Sequence, residues 1–289
     1  MNILLLGKTG QIGWELQRTL APLGEITSLS RQELDLTDQQ AIRRTVRDTI
    51  PDLIVNAAAY TAVDRAEKEE DLAMAINGIA PGILAEEAAL VKAALVHYST
   101  DYVFDGSKRE PYTEQDKPNP LSIYGKTKLA GEEAIRQVGI PHLILRTGWI
   151  YGLRGKNFLL TMQRLASERD ELAIVNDQYG APTWCRQVAE ATALLVARQP
   201  FKAPGMGGIF HLTAAGETTW FKFAEAIFKQ SEPEKSCKPV VRAIDTKDYP
   251  TPAPRPPYSV LDNSRIKECH LITLPDWSKQ LKLVLNQGK

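Results

Sequence analysis

Cysteine is nearly missing from this chain of 289 residues: Cys185, Cys237 and Cys269 stand far apart, with no CxxC pair and no histidine at metal-ligand spacing. Three such residues argue against a disulfide framework, and a reducing cytoplasm fits best. Net charge is missing as well, with Lys+Arg 35 against Asp+Glu 35. Such a chain has no global field to draw it to nucleic acid or a membrane, which leaves small soluble ligands as its default partners. No basic segment precedes the short apolar run at the start, and no uncharged stretch approaches the roughly 20 residues that a membrane span needs. Internal repeats and low-complexity tails are also lacking. What remains is a cytoplasmic globular protein long enough for one large domain or two modest ones.

What is present begins at once. The apolar run Ile3, Leu4, Leu5, Leu6 leads into Gly7-Lys8-Thr9-Gly10-Gln11-Ile12-Gly13, and Ile12, Leu16, Leu20 and Leu23 continue at helical spacing. A strand therefore feeds a glycine turn and then a helix. One glycine allows the tight turn, one lets backbone N–H groups approach a pyrophosphate, and one lets the helix pack close to the strand. The helix N-terminus offers its unpaired N–H groups and positive dipole end to phosphate. A GxxGxxG triplet alone also occurs in turns that bind nothing. Its weight comes from the order of strand, glycines and amphipathic helix, half of a βαβ unit.

The same rhythm continues to about residue 146. Strands are expected at 26–29, 53–55, 95–98 and 142–145, with a helix begun by Thr37 or Asp38, a long helical stretch over 71–92 and another over 129–138. This alternation predicts an α/β fold, a doubly wound parallel sheet of Rossmann type covered on both faces. Beyond Thr147 the rhythm fails. Helices at 158–168, 188–197 and 220–229 are separated by loops rich in Gly, Pro and Asn, and 209–212 reads as a strand returning to the sheet. The expected division is a dinucleotide-binding domain over 1–146 and, over 147–289, mainly a smaller substrate-binding lobe. Pro250, Pro252, Pro254, Pro256 and Pro257 cannot sit inside a helix or a central strand, so this segment reads as a loop that covers a site.

Two groups carry chemistry. Tyr124 and Lys128 lie four residues apart, one turn from each other on one face of a helix. A phenol with a pKa of about 10 is a poor acid at neutral pH, and a nearby ammonium is expected to lower that value while also holding a ribose hydroxyl. The strand at 95–98 runs into Ser99 and Thr100, and ligands of such sheets bind beyond the carboxyl ends of the strands. Ser99 or Thr100 is thus placed to meet a substrate oxygen together with Tyr124.

With Gly7, Gly10, Gly13, Thr100, Tyr124 and Lys128 together, the chain resembles the extended short-chain dehydrogenase/reductase superfamily. Within it, the chain is similar to the dTDP-4-dehydrorhamnose reductase family along almost its whole length. GxxGxxG and YxxxK mark only the superfamily, whereas the QIGWEL start, NDQYGAPT at 176–183 and RPxxSxLD at 255–262 are far more specific. The resemblance implies hydride delivery from NADPH, with NADH possible, to C4 of a dTDP-4-dehydro sugar, the last step of dTDP-rhamnose formation. It implies Tyr124 as proton donor, Lys128 as its ribose-binding partner and Thr100 as the hydroxyl that polarises the ketone. Cofactor contacts carry over to Gly7, Gly10, Gln11, Ile12 and Gly13, to Asp35 and Leu36 by the adenine, and to Ala57, Ala58 and Ala59. Ser30 and Arg31 stand where an NAD-preferring fold places a carboxylate, and an arginine there suits a 2′-phosphate. On the substrate side it implies Asp101 and Trp149 at the sugar, and Asn157, Tyr179, Pro182, Thr183, Arg255 and Pro256 at the nucleotide.

Some relatives are expected to hold a metal between subunits through glutamates; here Glu15 stands at one position, but Arg186 and Gln287 occupy the others. No metal is therefore expected, and the oligomer is expected to be a monomer or a weak homodimer. Rival readings from the same superfamily are a nucleotide-sugar epimerase or dehydratase. From another class the rival is a non-catalytic regulatory subunit resembling the beta subunit of methionine adenosyltransferase.

Overall fold

The computed structural model describes residues 1–198, 206–230 and 239–286. Its centre is a six-stranded sheet formed by β1 (Asn2–Leu6), β2 (Glu25–Leu29), β3 (Leu53–Asn56), β4 (Ala94–Thr100), β5 (His142–Thr147) and the strand Gly208–His211. The spatial order is Gly208–His211, β5, β4, β3, β1, β2, and every pairing is parallel. Parallel strands need a crossover on one face or the other, so both faces must be apolar. The alternation along each strand sorts its side chains accordingly. Ile3, Leu5, Val55 and Val96 face one layer with Leu16 of α1 (Gln11–Thr19), Leu20 at its C-cap, and Val188 and Leu195 of the helix Cys185–Arg198. Leu4, Leu6, Ile54 and Leu95 face the other, with Ile42 and Val46 of α2 (Gln39–Thr49). Each such side chain fully removed from water contributes about 1.5–3 kcal/mol.

Of the two capping residues that the sequence offers α2, Asp38 serves, its side chain accepting from Ala41 N. The long stretch expected over 71–92 is three segments in series: α-helix Glu70–Met74, a π-helical turn Ala75–Ile79, and α-helix Ala80–Val91. Pro81 explains the break. It has no N–H to donate, and its ring would clash with the preceding turn, which a wider turn relieves. The run Glu70–Val91 is long and apolar enough to cross a membrane by composition, yet it packs in the interior against α2 and the helix Ile123–Val138.

That last helix begins earlier than its apolar pattern suggests. Ser122 Oγ accepts from Gly125 N at 3.1 Å, and Glu67 Oε1 accepts from Ile123 N at 2.8 Å, so its N-terminus is fixed by two side chains. Tyr124 and Lys128 therefore both lie in its first turns. A Cβ on Gly125 would stand 2.2 Å from Tyr102 O, so only glycine lets the helix press on the end of β4.

Beyond Thr147, Tyr151, Leu159, Met162, Leu172, Phe223 and Leu281 form a separate apolar cluster among the helices Phe158–Glu168, Trp220–Gln230 and Trp277–Asn286. The strands Glu171–Val175 and Val240–Ile244 pair beside them. Two segments of this half return to the sheet, the strand Gly208–His211 beside β5 and the helix Cys185–Arg198 against α1. Cys237 lies outside the described residues, while Cys185 and Cys269 are free thiols.

Candidate active site

Strand order reverses between β1 and β3, and at their carboxyl ends opens a cleft of about 730 Å³ that runs on past β4. This is the position where a doubly wound sheet binds ligands. Gly7 sits at the reversal with φ +85°, and a Cβ there would lie 2.7 Å from Ala58 N, so the turn and the Ala57–Ala58 backbone close on each other only because both sides are small. A Cβ on Gly13 would meet Gly7 O at 2.1 Å, which accounts for the third glycine. Gly10 caps α1 with extended backbone and no side-chain hydrogen bond, so the first N–H groups of the helix have no side-chain acceptor. Gly7, Gly10, Gln11 and Ile12 all line the cleft beside this terminus. A bare helix N-terminus against a glycine turn fits a pyrophosphate.

At one end of the cleft are Ser30, Arg31, Asp35 and Leu36, with Ala57, Ala58 and Ala59 along its wall. The carboxylate nearest the end of β2 is Glu33, but it is engaged by Lys8 Nζ at 2.7 Å and by Ser30 N and Oγ, and these contacts lower its pKa to about 2. Asp35 is turned to Thr37, whose backbone N–H holds its carboxyl below the ordinary value. Arg31 is 69% exposed and reaches Asp35 only at 3.5 Å, which leaves its guanidinium at the rim.

At the other end stand Thr100, Asp101, Tyr102, Tyr124 and Lys128. Thr100 Oγ1 donates to Asp101 Oδ1 at 3.1 Å and accepts from Tyr102 N. Burial pushes the Tyr124 phenol well above its ordinary value, and a hydrogen bond with Thr100 offsets part of that rise. Burial also pushes Asp101 up to about 6 and Lys128 down to about 8. A Cβ on Gly148 would lie 2.5 Å from Asp101 Cγ, so the carboxyl is packed against β5's exit.

The structure corrects two expectations here. Lys128 does not lower the Tyr124 value, because its Nζ is turned toward the sheet, to Tyr98 O at 2.5 Å and His97 Nε2 at 3.1 Å, and desolvation of the phenol prevails. Ser99 is no partner for a substrate carbonyl either. Its Oγ donates to Glu132 Oε1 at 2.5 Å, and Glu132 is held by Arg146 through Nε at 2.9 Å and Nη2 at 2.6 Å. Of the two hydroxyls only that of Thr100 stays beside Tyr124.

Among the residues assigned to the substrate, Asp101 and Trp149 line the cleft. The others lie outside its lining. Asn157 caps the helix Phe158–Glu168 and donates to Gln11 Oε1 at 2.8 Å. Thr183 is fully buried, donating to Ala181 O and accepting from Ala214 N, and Pro182, just before it in the chain, is buried as well. Tyr179 pairs through its backbone with Pro257 and Ser259. Arg255 forms an ion pair with Asp64 at 2.8 Å and lies over the Tyr102 ring at 5.8 Å, one layer behind the wall, with Pro256 beside it in the same loop. Glu15 is paired with Arg186 at 3.2 Å, and Gln287 lies outside the described residues.

Sequence reasoning missed Trp220, Tyr102 and Lys156, all of which line the cleft. Trp220 stacks on Trp149 with ring centroids 3.4 Å apart. Its only sequence signal is a large aromatic at the first position of an amphipathic helix, indistinguishable there from a core residue.

The RmlD substrate binding domain family matches residues 1–289. The dTDP-4-dehydrorhamnose reductase of Escherichia coli K12 is 45% identical over 295 aligned positions, covering 99% of this chain and 98% of that protein. A crystal structure of a dTDP-4-dehydrorhamnose reductase from Clostridium acetobutylicum superposes with a TM-score of 0.91 at 39% identity, covering 99% of both chains. The enzyme of that name from Bacillus anthracis, solved in complex with NADP, gives a TM-score of 0.90 at 34% identity over 99% of both chains.

Proposed function

Because the chain belongs to the RmlD substrate binding domain family, that of the dTDP-4-dehydrorhamnose reductases, we infer that it is an oxidoreductase that reduces the C4 ketone of dTDP-4-dehydro-L-rhamnose to dTDP-L-rhamnose. Its cofactor is NADPH, with NADH as the other candidate. The observation that carries the reading is that one continuous cleft holds both the glycine turn at β1 and the group of Thr100, Tyr124 and Lys128 at β4.

The residues present fit a dinucleotide. Gly7, Gly10, Gln11 and Ile12 would hold the pyrophosphate, Arg31 the 2′-phosphate, and Ala57 to Ala59 the flat path between them. When bound, the nicotinamide supplies the hydride. The protein's part is to orient the ketone and deliver a proton. Tyr124 has a proton to give, since burial keeps its phenol in the acid form. The single hydroxyl proton of Thr100, turned from Asp101 Oδ1, would be donated to the same ketone oxygen, and two donors converging on one oxygen stabilise the charge that develops there. Loss of the Tyr124 proton leaves a phenolate in a dry site, and Lys128, one turn along the helix, would offset that charge in its ammonium form by turning Nζ from Tyr98 O and His97 toward the cleft. Trp149 and Trp220 form the wall that the sugar nucleotide meets, and the half beyond Thr147 serves as the substrate lobe. Steady-state loss of NADPH absorbance on addition of dTDP-4-dehydro-L-rhamnose tests the assignment. Turnover supports it, and an inert mixture contradicts it.

A further inference from the structure

Among the described residues, Lys128 is the buried cation that lines the cleft, and the atoms around it do not match an ordinary ammonium. Asn56, at the end of β3, is 1% exposed, and His97, in the middle of β4, is fully buried. The Asn56 Oδ1 accepts from Ala58 N at 3.2 Å, which directs Nδ2 to His97 Nδ1 at 3.1 Å. An amide nitrogen only donates, so Nδ1 must accept and the neutral ring carries its proton on Nε2. That proton points at Lys128 Nζ, 3.1 Å away, while Nζ itself donates to Tyr98 O. An ammonium has no lone pair to accept it. The four groups therefore form one directed chain, from the Ala58 N–H through Asn56 and His97 to a lysine in its amine form.

The other end of the chain is at the cofactor cradle, since Ala58 lines the cleft with Gly7 and its N is among the backbone atoms that a Cβ on Gly7 would strike. We propose that His97 is a positioning residue that changes ring tautomer with the charge of Lys128 and, through Asn56, releases the Ala58 N–H to the cradle, so that dinucleotide binding and protonation of Lys128 are coupled. The steps balance. Lys128 takes one proton from solvent, the imidazole loses its proton at Nε2 and gains one at Nδ1, and it stays neutral throughout. The Asn56 amide turns so that Oδ1 accepts from Nδ1–H, and the Ala58 N–H is freed for an anionic acceptor. Phosphate in the cradle favours that second arrangement, in which the Lys128 ammonium donates to His97 Nε2 and to the ribose.

The charges around the relay are few. Glu132, one turn further along the Lys128 helix, is the carboxylate whose charge Lys128 feels, and it is itself neutralised by Arg146 of β5. Asp101 and Tyr124 stand at the cleft end, and Lys128 is the charge felt by His97. Burial keeps the His97 ring neutral in both arrangements and sets Lys128 near 8, so its amine form is populated above that pH.

The proposal rests on the dinucleotide reading of the cleft, and its test separates the two. Protein labelled with ¹⁵N at its four histidines reports the tautomer of each ring directly. At one pH unit above the Lys128 value of about 8, His97 is expected as the Nε2–H form alone and as the Nδ1–H form with saturating NADP⁺. Calorimetry of NADP⁺ binding in buffers of different ionisation enthalpy is expected to show uptake approaching one proton per site at that pH and falling to near zero about two units lower. His97→Gln assigns the signal; if that variant does not fold, His142→Gln, His211→Gln and His270→Gln assign it by elimination. One tautomer in both states, or binding heat without proton uptake, overturns the coupling. Absence of binding heat overturns the dinucleotide reading itself, and the coupling with it.

Discussion

The rings of Trp149 and Trp220 lie parallel, centroids 3.4 Å apart and planes within 1°, at the mouth of the cleft. Trp149 is held at φ +50°, a strained conformation for a bulky residue, and its indole fills the space that a side chain on Gly180 would need. The pair joins the segment just after β5 to the helix Trp220–Gln230, so this wall of the cleft is made by two separate segments of the half beyond Thr147. Trp220→Ala is expected to raise KM for the dTDP-sugar about tenfold with little change in KM for NADPH, as the loss of roughly 1.4 kcal/mol of aromatic contact implies. Steady-state kinetics with each substrate varied checks it.

Arg31 is exposed at the rim, with only a long ion pair to Asp35 at 3.5 Å, and under the proposed reading it meets the second charge that NADPH alone presents. Arg31→Ala is expected to raise KM for NADPH by about tenfold or more, consistent with the roughly 1.5–3 kcal/mol of a charge-assisted contact, and to leave KM for NADH nearly unchanged. Equal effects on both cofactors would contradict the assignment.

The glycine turn, the succession of strands and helices along the chain and the YxxxK pair were legible because each is local: a few adjacent residues state the geometry they require. The substrate residues were legible only in part. Asp101 and Trp149 follow strands directly and so point into the cleft, whereas Asn157 caps a helix and Thr183 opens a short strand, and their side chains turn inward to satisfy backbone groups. Ser99 reads like Thr100 in sequence, yet the pleat sends it to the other face of the sheet, onto Glu132. Arg255 reads as a phosphate ligand, and its partner is Asp64, 191 positions earlier, a relation that no local pattern carries.

Glu132 and Arg146 are an ion pair at 1% and 2% exposure beneath the site. Removing one partner leaves an uncompensated buried charge, so Arg146→Met is expected to cost about 3–5 kcal/mol of stability. The double variant Glu132→Leu, Arg146→Met is expected to recover much of that loss. Urea denaturation of the parent, the single variants Arg146→Met and Glu132→Leu, and the double variant measures the coupling, and additive losses would contradict it.

Buried His211 is held neutral, its value pushed down to about 3 by burial and then by Arg146. The unfolded chain protonates this ring near 6.5 and the folded one does not, so stability is complete above that pH and is lost as pH falls, by about 1.4 kcal/mol per unit. Asp101 works in the opposite sense below its value of about 6. Comparison with His211→Gln removes that common contribution. The variant is expected to lose less stability than the parent between about pH 6.5 and pH 5 in urea titrations, and parallel curves would contradict this.

The account turns on Tyr124 as the group that gives the proton. Single-turnover and steady-state rates of Tyr124→Phe, measured beside its affinity for NADP⁺, test this most directly. The expected result is a kcat lower by about 10²–10⁴-fold, the usual contribution of a positioned acid, with NADP⁺ affinity within about twofold of the parent. A kcat equal to that of the parent would show that the proton comes from another group and would contradict the assignment of this cleft's chemistry.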